Sequence, residues 1–167
     1  IVTDSVKDIV VKTMTEDFGN PSAMHMVGVK AEKYIKEAQE NIAKILKVDP
    51  KEIFFTSGGT ESNNMAIIGT AMANKRKGNK IITTSVEHSS VLATMKYLEE
   101  QGFEVIYLPV DRYGVVQMEA LEKEMTEDTI LVSTMYVNNE VGAIEPVGEI
   151  GQYIKKVNPS VVYHVDA

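Results

Sequence analysis

Two adjacent glycines stand where an apolar run gives way to a helical pattern, in the sequence FFTSGGTESNN from Phe54 to Asn64. Glycine lets backbone N–H groups approach a ligand closely, and the N-terminus of a helix favours negative charge. Gly59 and the hydroxyl of Thr60 could therefore bind a phosphate group. The same residues could instead form a tight turn, with Ser57 or Thr60 capping the helix. Neither the P-loop pattern nor the dinucleotide-binding fingerprint is present.

Polar side chains also follow three other apolar runs. His88 stands shortly after KIITTS, Asn138 and Asn139 follow TILVSTMYV, and Asp166 comes at the end of VVYHVDA. A histidine between a strand and a helix suits proton transfer, although a structural or exposed histidine is the simpler interpretation. The two asparagines are equally typical of a turn. An Asp166 held near the core needs a partner, which could be a cationic ligand nitrogen, an arginine or a backbone N–H group.

The histidines do not have the spacing of a metal site. His25, His88 and His164 lie far apart in the sequence, and no H-E-x-x-H or comparable pattern occurs. The chain has no cysteine, which excludes cysteine-ligated zinc. The sequence therefore predicts that no metal is bound.

The elements that must position these residues alternate along the chain. Apolar positions at helical spacing predict helices at 27–46, 60–75, 89–101, 118–125 and 148–156. Short continuous apolar runs predict strands at 53–57, 80–85, 103–110, 129–137 and 160–167. This order indicates a three-layer α/β fold, a mostly parallel sheet with helices on both faces. In such sheets ligands bind at the carboxyl ends of the strands, where all the polar residues named above would meet.

Composition excludes several classes of protein. The 167 residues are 44% hydrophobic and 25% charged, an ordinary globular balance, and the net charge of −7 with no basic run argues against nucleic acid as a partner. The apolar runs are too short to span a membrane, and the first residues do not have the pattern of a signal peptide. The absence of cysteine fits a cytoplasmic protein. The chain starts without a methionine and stops just after a core strand, so we expect it to be part of a longer protein.

Five motifs in this order resemble those of the NifS/IscS-like cysteine desulfurases. They are FGNPSAMHMVG (residues 18–28), FFTSGGTESNN, TTSVEHSSV, VNNEVG and YHVDA. These enzymes belong to the class V aminotransferase group of pyridoxal 5′-phosphate enzymes, which share the large domain of fold type I. One departure is Val29, where the family often has arginine.

The resemblance implies a role for each matched position. Gly59 and Thr60 would bind the cofactor phosphate, and His88 would stack on the pyridine ring and assist proton transfers. Asn139 would lie beside the ring hydroxyl. Asp166 would pair with the ring nitrogen and keep it protonated, so that the ring can accept electrons from a substrate carbanion.

The resemblance also implies a reaction and its partners. Cysteine desulfurases remove sulfur from L-cysteine, leave L-alanine, and pass the sulfur through an enzyme persulfide to iron–sulfur cluster or thio-cofactor synthesis. The expected partners are L-cysteine, a sulfur-acceptor or iron–sulfur scaffold protein, and a second copy of the chain in a homodimer. The family's Schiff-base lysine lies downstream of the aspartate, and its nucleophilic cysteine further on. We therefore expect these 167 residues to be inactive alone.

The predicted domains are a helical segment at 1–20 and part of the cofactor-binding large domain at 21–167. The lysine-bearing part and the C-terminal small domain are expected to be missing. Two alternatives stay open at this point. The first is a selenocysteine lyase or another class V aminotransferase-like enzyme, and the second is a non-catalytic α/β module that binds a phosphorylated ligand or a protein.

Overall fold

The computed structural model describes all residues, 1–167, and its contacts divide them into two compact units. The first is Ile1–Phe55 and the second Thr56–Ala167. The domain boundary predicted after residue 20 concerns a longer protein and stays a prediction.

The first unit consists of helices. They are α1 (Asp4–Thr15), α2 (Met26–Leu46) and a short 3₁₀ turn at Pro50–Glu52. His25 caps α2, because its Nδ1 atom accepts a hydrogen bond from the backbone N–H of Gly28 at 3.3 Å. The helix ends at Lys47, which has the left-handed conformation with φ 58°. The helix predicted at 27–46 is confirmed.

Two glycines of the segment FGNPSAMHMVG are packed against backbone. A Cβ atom at Gly19 would lie 2.3 Å from the carbonyl oxygen of Val27, and one at Gly28 would lie 2.2 Å from that of Ala23. No larger residue fits at these distances without a backbone shift. These glycines therefore serve the packing of the first unit.

The second unit is built on four parallel strands. They are β1 (Lys80–Thr84), β2 (Glu104–Leu108), β3 (Thr129–Met135) and β4 (Val162–Asp166), in the spatial order β2-β1-β3-β4. Its helices are α3 (Gly59–Asn74), α4 (Ser89–Glu100), α5 (Met118–Glu124) and α6 (Val147–Val157). Every connection between these strands contains a helix, as parallel pairing requires.

Successive strand residues point to opposite faces of the sheet and pack into separate clusters. Ile81 and Leu131 belong to one cluster together with residues of α3 and α4. Ile82 and Val132 belong to the other, with residues of α5 and α6. Both central strands are buried throughout. The predicted three-layer architecture is therefore confirmed.

One predicted strand is wrong. Residues 53–57 form no strand, and Phe54 and Phe55 are exposed. The run is apolar, but a strand needs a neighbour for its backbone N–H and C=O groups, and the sheet contains only the four strands given above. The carbonyl of Ile53 instead accepts a hydrogen bond from the Gln39 amide at 2.9 Å. The other predicted helices and strands are present with shifted ends. None of the helices has the length and apolarity that a membrane crossing requires.

Candidate active site

A cleft of about 400 Å³ lies at the carboxyl edge of the sheet, in the second unit. The five residues predicted to bind the cofactor all line it, and they are Gly59, Thr60, His88, Asn139 and Asp166. They come from the start of α3, the β1–α4 connection, the loop after β3 and the end of β4. The fold thus brings together residues that are up to 107 positions apart, which is the difference between 166 and 59.

The N-terminus of α3 has no side-chain cap. Ser57 does not cap it, because its hydroxyl and backbone N–H both donate to the Glu61 carboxylate at 2.6 Å. These two hydrogen bonds lower the pKa of Glu61. The Thr60 hydroxyl does not cap it either. The first-turn amides of the helix therefore keep free donors at the cleft, where an anion is favoured.

The two glycines at the start of α3, Gly58 and Gly59, face open space. A Cβ atom at Gly58 or Gly59 would meet no other heavy atom within 4 Å. Neither residue has the positive φ that requires glycine. Neither the packing nor the backbone conformation requires glycine here. The open space beside Gly59 is therefore available to a ligand.

His88 caps the N-terminus of helix α4, and its ring is held through one nitrogen. Its Nδ1 atom accepts a hydrogen bond from the backbone N–H of Ser90 at 3.2 Å and lies 2.9 Å from the Ser90 hydroxyl. Because a backbone N–H can only donate, Nδ1 carries no proton in this arrangement. The neutral ring then has its proton on Nε2, which makes no hydrogen bond within the protein.

Asp166 ends β4 with its carboxylate at the cleft. Its Oδ2 atom accepts a hydrogen bond from the Asn63 amide at 3.0 Å. Its backbone carbonyl accepts from the N–H of Tyr136 at 2.8 Å, which fixes the residue against β3. Oδ1 makes no hydrogen bond within the protein and remains able to accept one from a ligand.

The two adjacent asparagines have different surroundings. Asn138 is buried, and its Oδ1 atom accepts from the backbone N–H groups of Glu140 and Val141, both at 2.9 Å. Its amide donates to the carbonyl of Val86, also at 2.9 Å. Asn139 is exposed, lines the cleft and contacts only Glu140 through its amide. Asn138 therefore forms the turn, and Asn139 faces the cleft.

A buried carboxyl lies behind the cleft, at Glu87. Its side chain accepts from the Thr84 hydroxyl at 2.6 Å and the Met135 backbone N–H at 3.0 Å, while its second oxygen has no partner. Burial raises the pKa of Glu87 to about 7, against the two hydrogen bonds, and the charges of Asp166 and Glu145 raise it further. Glu87 ties the end of β1 to the end of β3.

The other two histidines have local partners of their own. His25 caps α2 in the first unit. His164 lies on β4, with Nδ1 2.9 Å from the Ser133 hydroxyl, and burial lowers its pKa. Neither lines the cleft.

With this geometry in place, comparison with known proteins identifies the family. Residues 2–167 match the family described as aminotransferase class-V. The chain belongs to this family. The cysteine desulfurase IscS 1 of Archaeoglobus fulgidus is 48% identical over 166 residues, which are 99% of this chain and 43% of that protein. The cysteine desulfurase IscS of Methanosarcina thermophila is 47% identical over 166 residues, 99% of this chain and 41% of that protein.

Solved structures agree. One described as a NifS-like protein has a TM-score of 0.95 at 46% identity and covers 99% of this chain and 46% of its own. SspA in complex with cysteine has a TM-score of 0.91 at 37% identity, with 99% and 47% covered. The resemblance inferred from the motifs is confirmed. This class-V aminotransferase chain spans less than half the length of these relatives.

Sequence reasoning missed two polar residues that line the cleft of this class-V aminotransferase chain. Asn63 and Ser90 are 4% and 8% exposed. A signal was present for Asn63, because it lies at helical spacing from Ile67 and Ala71 on the buried stripe of α3. Ser90 lies in the same way one turn before Thr94 on α4. A polar residue on a buried stripe needs a partner, and that partner is what the sequence does not reveal.

Proposed function

We propose that the protein to which this chain belongs is a pyridoxal 5′-phosphate-dependent cysteine desulfurase. In the proposed reaction L-cysteine gives up its sulfur to an enzyme thiol and leaves as L-alanine. The observation that carries the proposal is the cleft, in which an uncapped helix N-terminus, a histidine ring and a carboxylate face one volume of about 400 Å³. The named relatives and the SspA complex with cysteine support the choice of substrate.

The donor set of the cleft fits this cofactor. A phosphate is an acceptor, and the start of α3 offers the backbone N–H of Gly59 and the N–H and hydroxyl of Thr60. A protonated ring nitrogen is a donor, and Asp166 offers an unbonded Oδ1 atom. The ring hydroxyl could be held by the Oδ1 atom of Asn139. The planar His88 side chain supplies an aromatic face.

The cofactor, when bound, supplies an electron sink for the carbanion formed at the substrate. The chain's own residues set the conditions for it. Asp166 places a negative charge at the end of β4, and the Asn63 amide holds that carboxylate in one orientation. His88 holds a proton at Nε2 and can donate it within the cleft, because Nδ1 is engaged by Ser90.

The sulfur step balances without an external oxidant. The carbon–sulfur bond of cysteine breaks, a sulfur–sulfur bond forms at the enzyme thiol, and a proton is delivered to the substrate carbon, which gives a persulfide and alanine. The 167 residues contain no cysteine. The proposal therefore requires the thiol to lie outside them. No lysine lines the cleft, so the proposal also requires the lysine that binds the cofactor covalently to lie outside them.

The proposal includes a homodimer, a protein that accepts the sulfur for iron–sulfur cluster or thio-cofactor synthesis, and a cytoplasmic location. Apolar side chains beside the cleft support the dimer, because Val137, Val141 and Ile144 are 47%, 68% and 62% exposed. Val137 and Ile144 form an antiparallel bridge, so these side chains sit on one ordered loop. Sedimentation of the complete natural protein tests the dimer. A monomer with full activity would contradict it.

The function is tested on the complete natural protein with L-cysteine. Alanine and persulfide or sulfide should form in equal amounts, and only when pyridoxal phosphate is present. Preferential turnover of L-selenocysteine would instead indicate a selenocysteine lyase. A protein that binds no pyridoxal phosphate would overturn the proposal.

A substitution at the start of α3 tests the phosphate site itself. Thr60→Val removes a hydroxyl donor, and we expect about tenfold weaker cofactor binding, since a hydrogen bond to a charged group contributes about 1.5 kcal/mol. Ser62→Ala is the matched control, because the Ser62 hydroxyl bonds to Thr56 at 2.7 Å and does not line the cleft. Equal affinities of the two variants would mean that the glycine turn is only a turn.

A further inference from the structure

Four side chains join the two ends of the cleft in one line of hydrogen bonds. The Asn63 amide nitrogen lies 3.0 Å from Oδ2 of Asp166 and 3.1 Å from the Ser90 hydroxyl oxygen. That hydroxyl lies 2.9 Å from Nδ1 of His88. Asp166 and His88, which are 78 residues apart (166 minus 88), are thus linked through two buried residues, one on α3 and one on α4.

The direction of every bond in this line is fixed. The Asp166 carboxylate can only accept, so Asn63 must turn its NH₂ group, and not its oxygen, toward it. The same NH₂ group has a second hydrogen, which it donates to Ser90. The Ser90 oxygen therefore accepts from Asn63, and its own proton is left to donate to His88.

Both linking residues are shielded from water. Asn63 is 4% exposed and Ser90 is 8% exposed. Bulk water cannot readily replace either bond, so the loss of one partner leaves the other unpaired. Ser90 is held further, because its backbone carbonyl accepts from the Thr94 hydroxyl at 2.7 Å.

We propose that Asn63 and Ser90 are positioning residues that couple the Asp166 carboxylate to the His88 ring and keep the proton of neutral His88 on Nε2. The line of bonds ends on Nδ1, so it favours the one tautomer whose free nitrogen is a donor. The inference concerns the arrangement of side chains, and only its catalytic consequence rests on the proposed cysteine desulfurase function.

The catalytic consequence is a single protonation pattern at both ends of the cleft. An anion at one end and an N–H donor at the other are set by the same buried amide. When this amide is lost, the Asp166 carboxylate can rotate, and the Ser90 hydroxyl can turn its proton away from His88. Only the backbone N–H of Ser90 then holds Nδ1, so the preference for the Nε2–H tautomer weakens. Proton transfer by His88 then starts from a mixture of states, so the turnover number should fall while substrate binding changes little.

Two substitutions interrupt the line at different points. Asn63→Leu keeps the approximate volume and removes both donated bonds. Ser90→Ala removes the hydroxyl bond to the ring and leaves the bond from the Ser90 backbone N–H. Ser90→Thr keeps the hydroxyl and is the rescue variant. The matched controls are Asn74→Leu, on the same helix but with its amide bonded to the carbonyl of Thr70, and Ser89→Ala.

The first readout does not need the cofactor. The complete natural protein is labelled with ¹⁵N in its histidine rings, and the tautomer of His88 is read by NMR at a pH where the ring is neutral, with His88→Gln used to assign the signal. We expect wild type, Ser90→Thr and both controls to show the Nε2–H form alone. Asn63→Leu and Ser90→Ala should show a detectable share of the Nδ1–H form, with the Nε2–H form still the major one, because the backbone N–H of Ser90 still donates to Nδ1.

The second readout is steady-state kinetics with L-cysteine. Asn63→Leu should lower kcat about tenfold and Ser90→Ala about fivefold, with KM within about twofold, because positioning of an acid–base group contributes part of an effect of about 10² or more. Thermal unfolding of each variant shows whether it is folded. If Asn63→Leu does not fold, Ser90→Ala and Ser90→Thr still decide the matter.

The outcomes separate the two proposals. A single Nε2–H form in Asn63→Leu and Ser90→Ala would overturn the positioning role, whatever the activity. A wild-type protein that shows the expected tautomers but does not convert cysteine would overturn the proposed function alone. A loss of kcat in Ser90→Ala that Ser90→Thr does not restore would also contradict the role of the hydroxyl.

Discussion

The chain uses the same residue types twice, once in packed positions and once at the cleft. A Cβ atom at Gly28 would lie 2.2 Å from a carbonyl oxygen, whereas a Cβ atom at Gly59 would have no heavy atom within 4 Å. Glu87 and Asp166 each leave one carboxylate oxygen unbonded, but that of Glu87 is buried away from the cleft, whereas Asp166 lines the cleft. The residue type alone thus does not tell which member of a pair serves the fold.

The difference lies in whether the space and the hydrogen-bonding groups that a residue leaves free face the cleft or the interior of the fold. In a packed residue, every neighbour is part of the fold, so substitution should change the free energy of unfolding. In an open residue, capacity is left over for a ligand, so substitution should change ligand affinity or turnover and leave the unfolding free energy nearly unaltered. Substitutions at packed residues and at open residues therefore test the two halves of this contrast.

The largest effect is expected at the packed glycine. Gly28→Ala would place a methyl carbon 2.2 Å from the carbonyl oxygen of Ala23 and 2.8 Å from that of Asn20. We expect a loss of about 3 kcal/mol or more of unfolding free energy, because backbone must move. Urea unfolding followed by circular dichroism measures it. A change below about 1 kcal/mol would show that the backbone around Gly28 shifts at little cost.

Asp166→Asn is expected to act on turnover and not on folding. The variant keeps the oxygen that accepts from Asn63 and removes the negative charge. Alanine formation from L-cysteine by the complete protein should fall about 10²-fold, the usual size of one lost electrostatic contact in an active site. Asp128→Asn is the control, because Asp128 is exposed and its side chain makes no hydrogen bond. Undiminished turnover would remove Asp166 from the proposed site.

The two adjacent asparagines should separate stability from binding. Asn138→Ala removes three hydrogen bonds to backbone groups from a buried turn, so we expect a loss of about 2 kcal/mol in unfolding free energy. Asn139→Ala should change stability by less than about 0.5 kcal/mol and weaken cofactor binding a few-fold. Chemical unfolding and cofactor titration of both variants check this. The reverse pattern would mean that the two roles are exchanged.

Glu87 should give stability a pH dependence. Its pKa in the folded protein, about 7, lies above the value of 4.5 for an unperturbed glutamate, because burial disfavours the charge. As pH rises, the unfolded chain loses its proton first, so folding becomes less favourable between about pH 5 and pH 8, by up to about 3 kcal/mol. Glu87→Gln should remove this decline. An identical pH profile of unfolding in the variant would contradict the buried neutral acid.

The smallest effect is expected at the open glycine. Gly59→Ala should leave stability unchanged or raise it by a few tenths to about 1 kcal/mol, since alanine restricts the unfolded chain. The added methyl group takes up cleft space, so cofactor affinity should fall about threefold. Gly69→Ala is the control on the same helix, because its Cβ also meets nothing within 4 Å and it does not line the cleft. It should stabilise the protein without an effect on affinity.

Much of the fold follows from local pattern. The alternation of helical and continuous apolar runs was sufficient for the parallel sheet and its two covered faces, because both patterns depend on neighbours within one element. The strand predicted at residues 53–57 is wrong for the opposite reason. Whether an apolar segment becomes a strand depends on a partner elsewhere in the chain, and here none pairs with it.

The site was predictable to the extent that it lies at strand ends. His88, Asn139 and Asp166 were found because each follows an apolar run, and the family resemblance assigned them roles. Asn63 and Ser90 were missed, because they lie within helices and act through contacts with residues 103 and 27 positions away. Such partners are a product of the tertiary structure.

The uncapped start of α3 makes the stability of the protein depend on the supply of its ligand. Donors that no side chain satisfies stay open to a bound anion, and a ligand that binds only the folded chain adds its binding energy to the folding energy. Each tenfold rise in free ligand above its dissociation constant adds about 1.4 kcal/mol to the free energy of unfolding. When the ligand is scarce, a larger share of these molecules is therefore unfolded and open to proteolysis, and the amount of protein in the cell would follow the concentration of the compound that it binds.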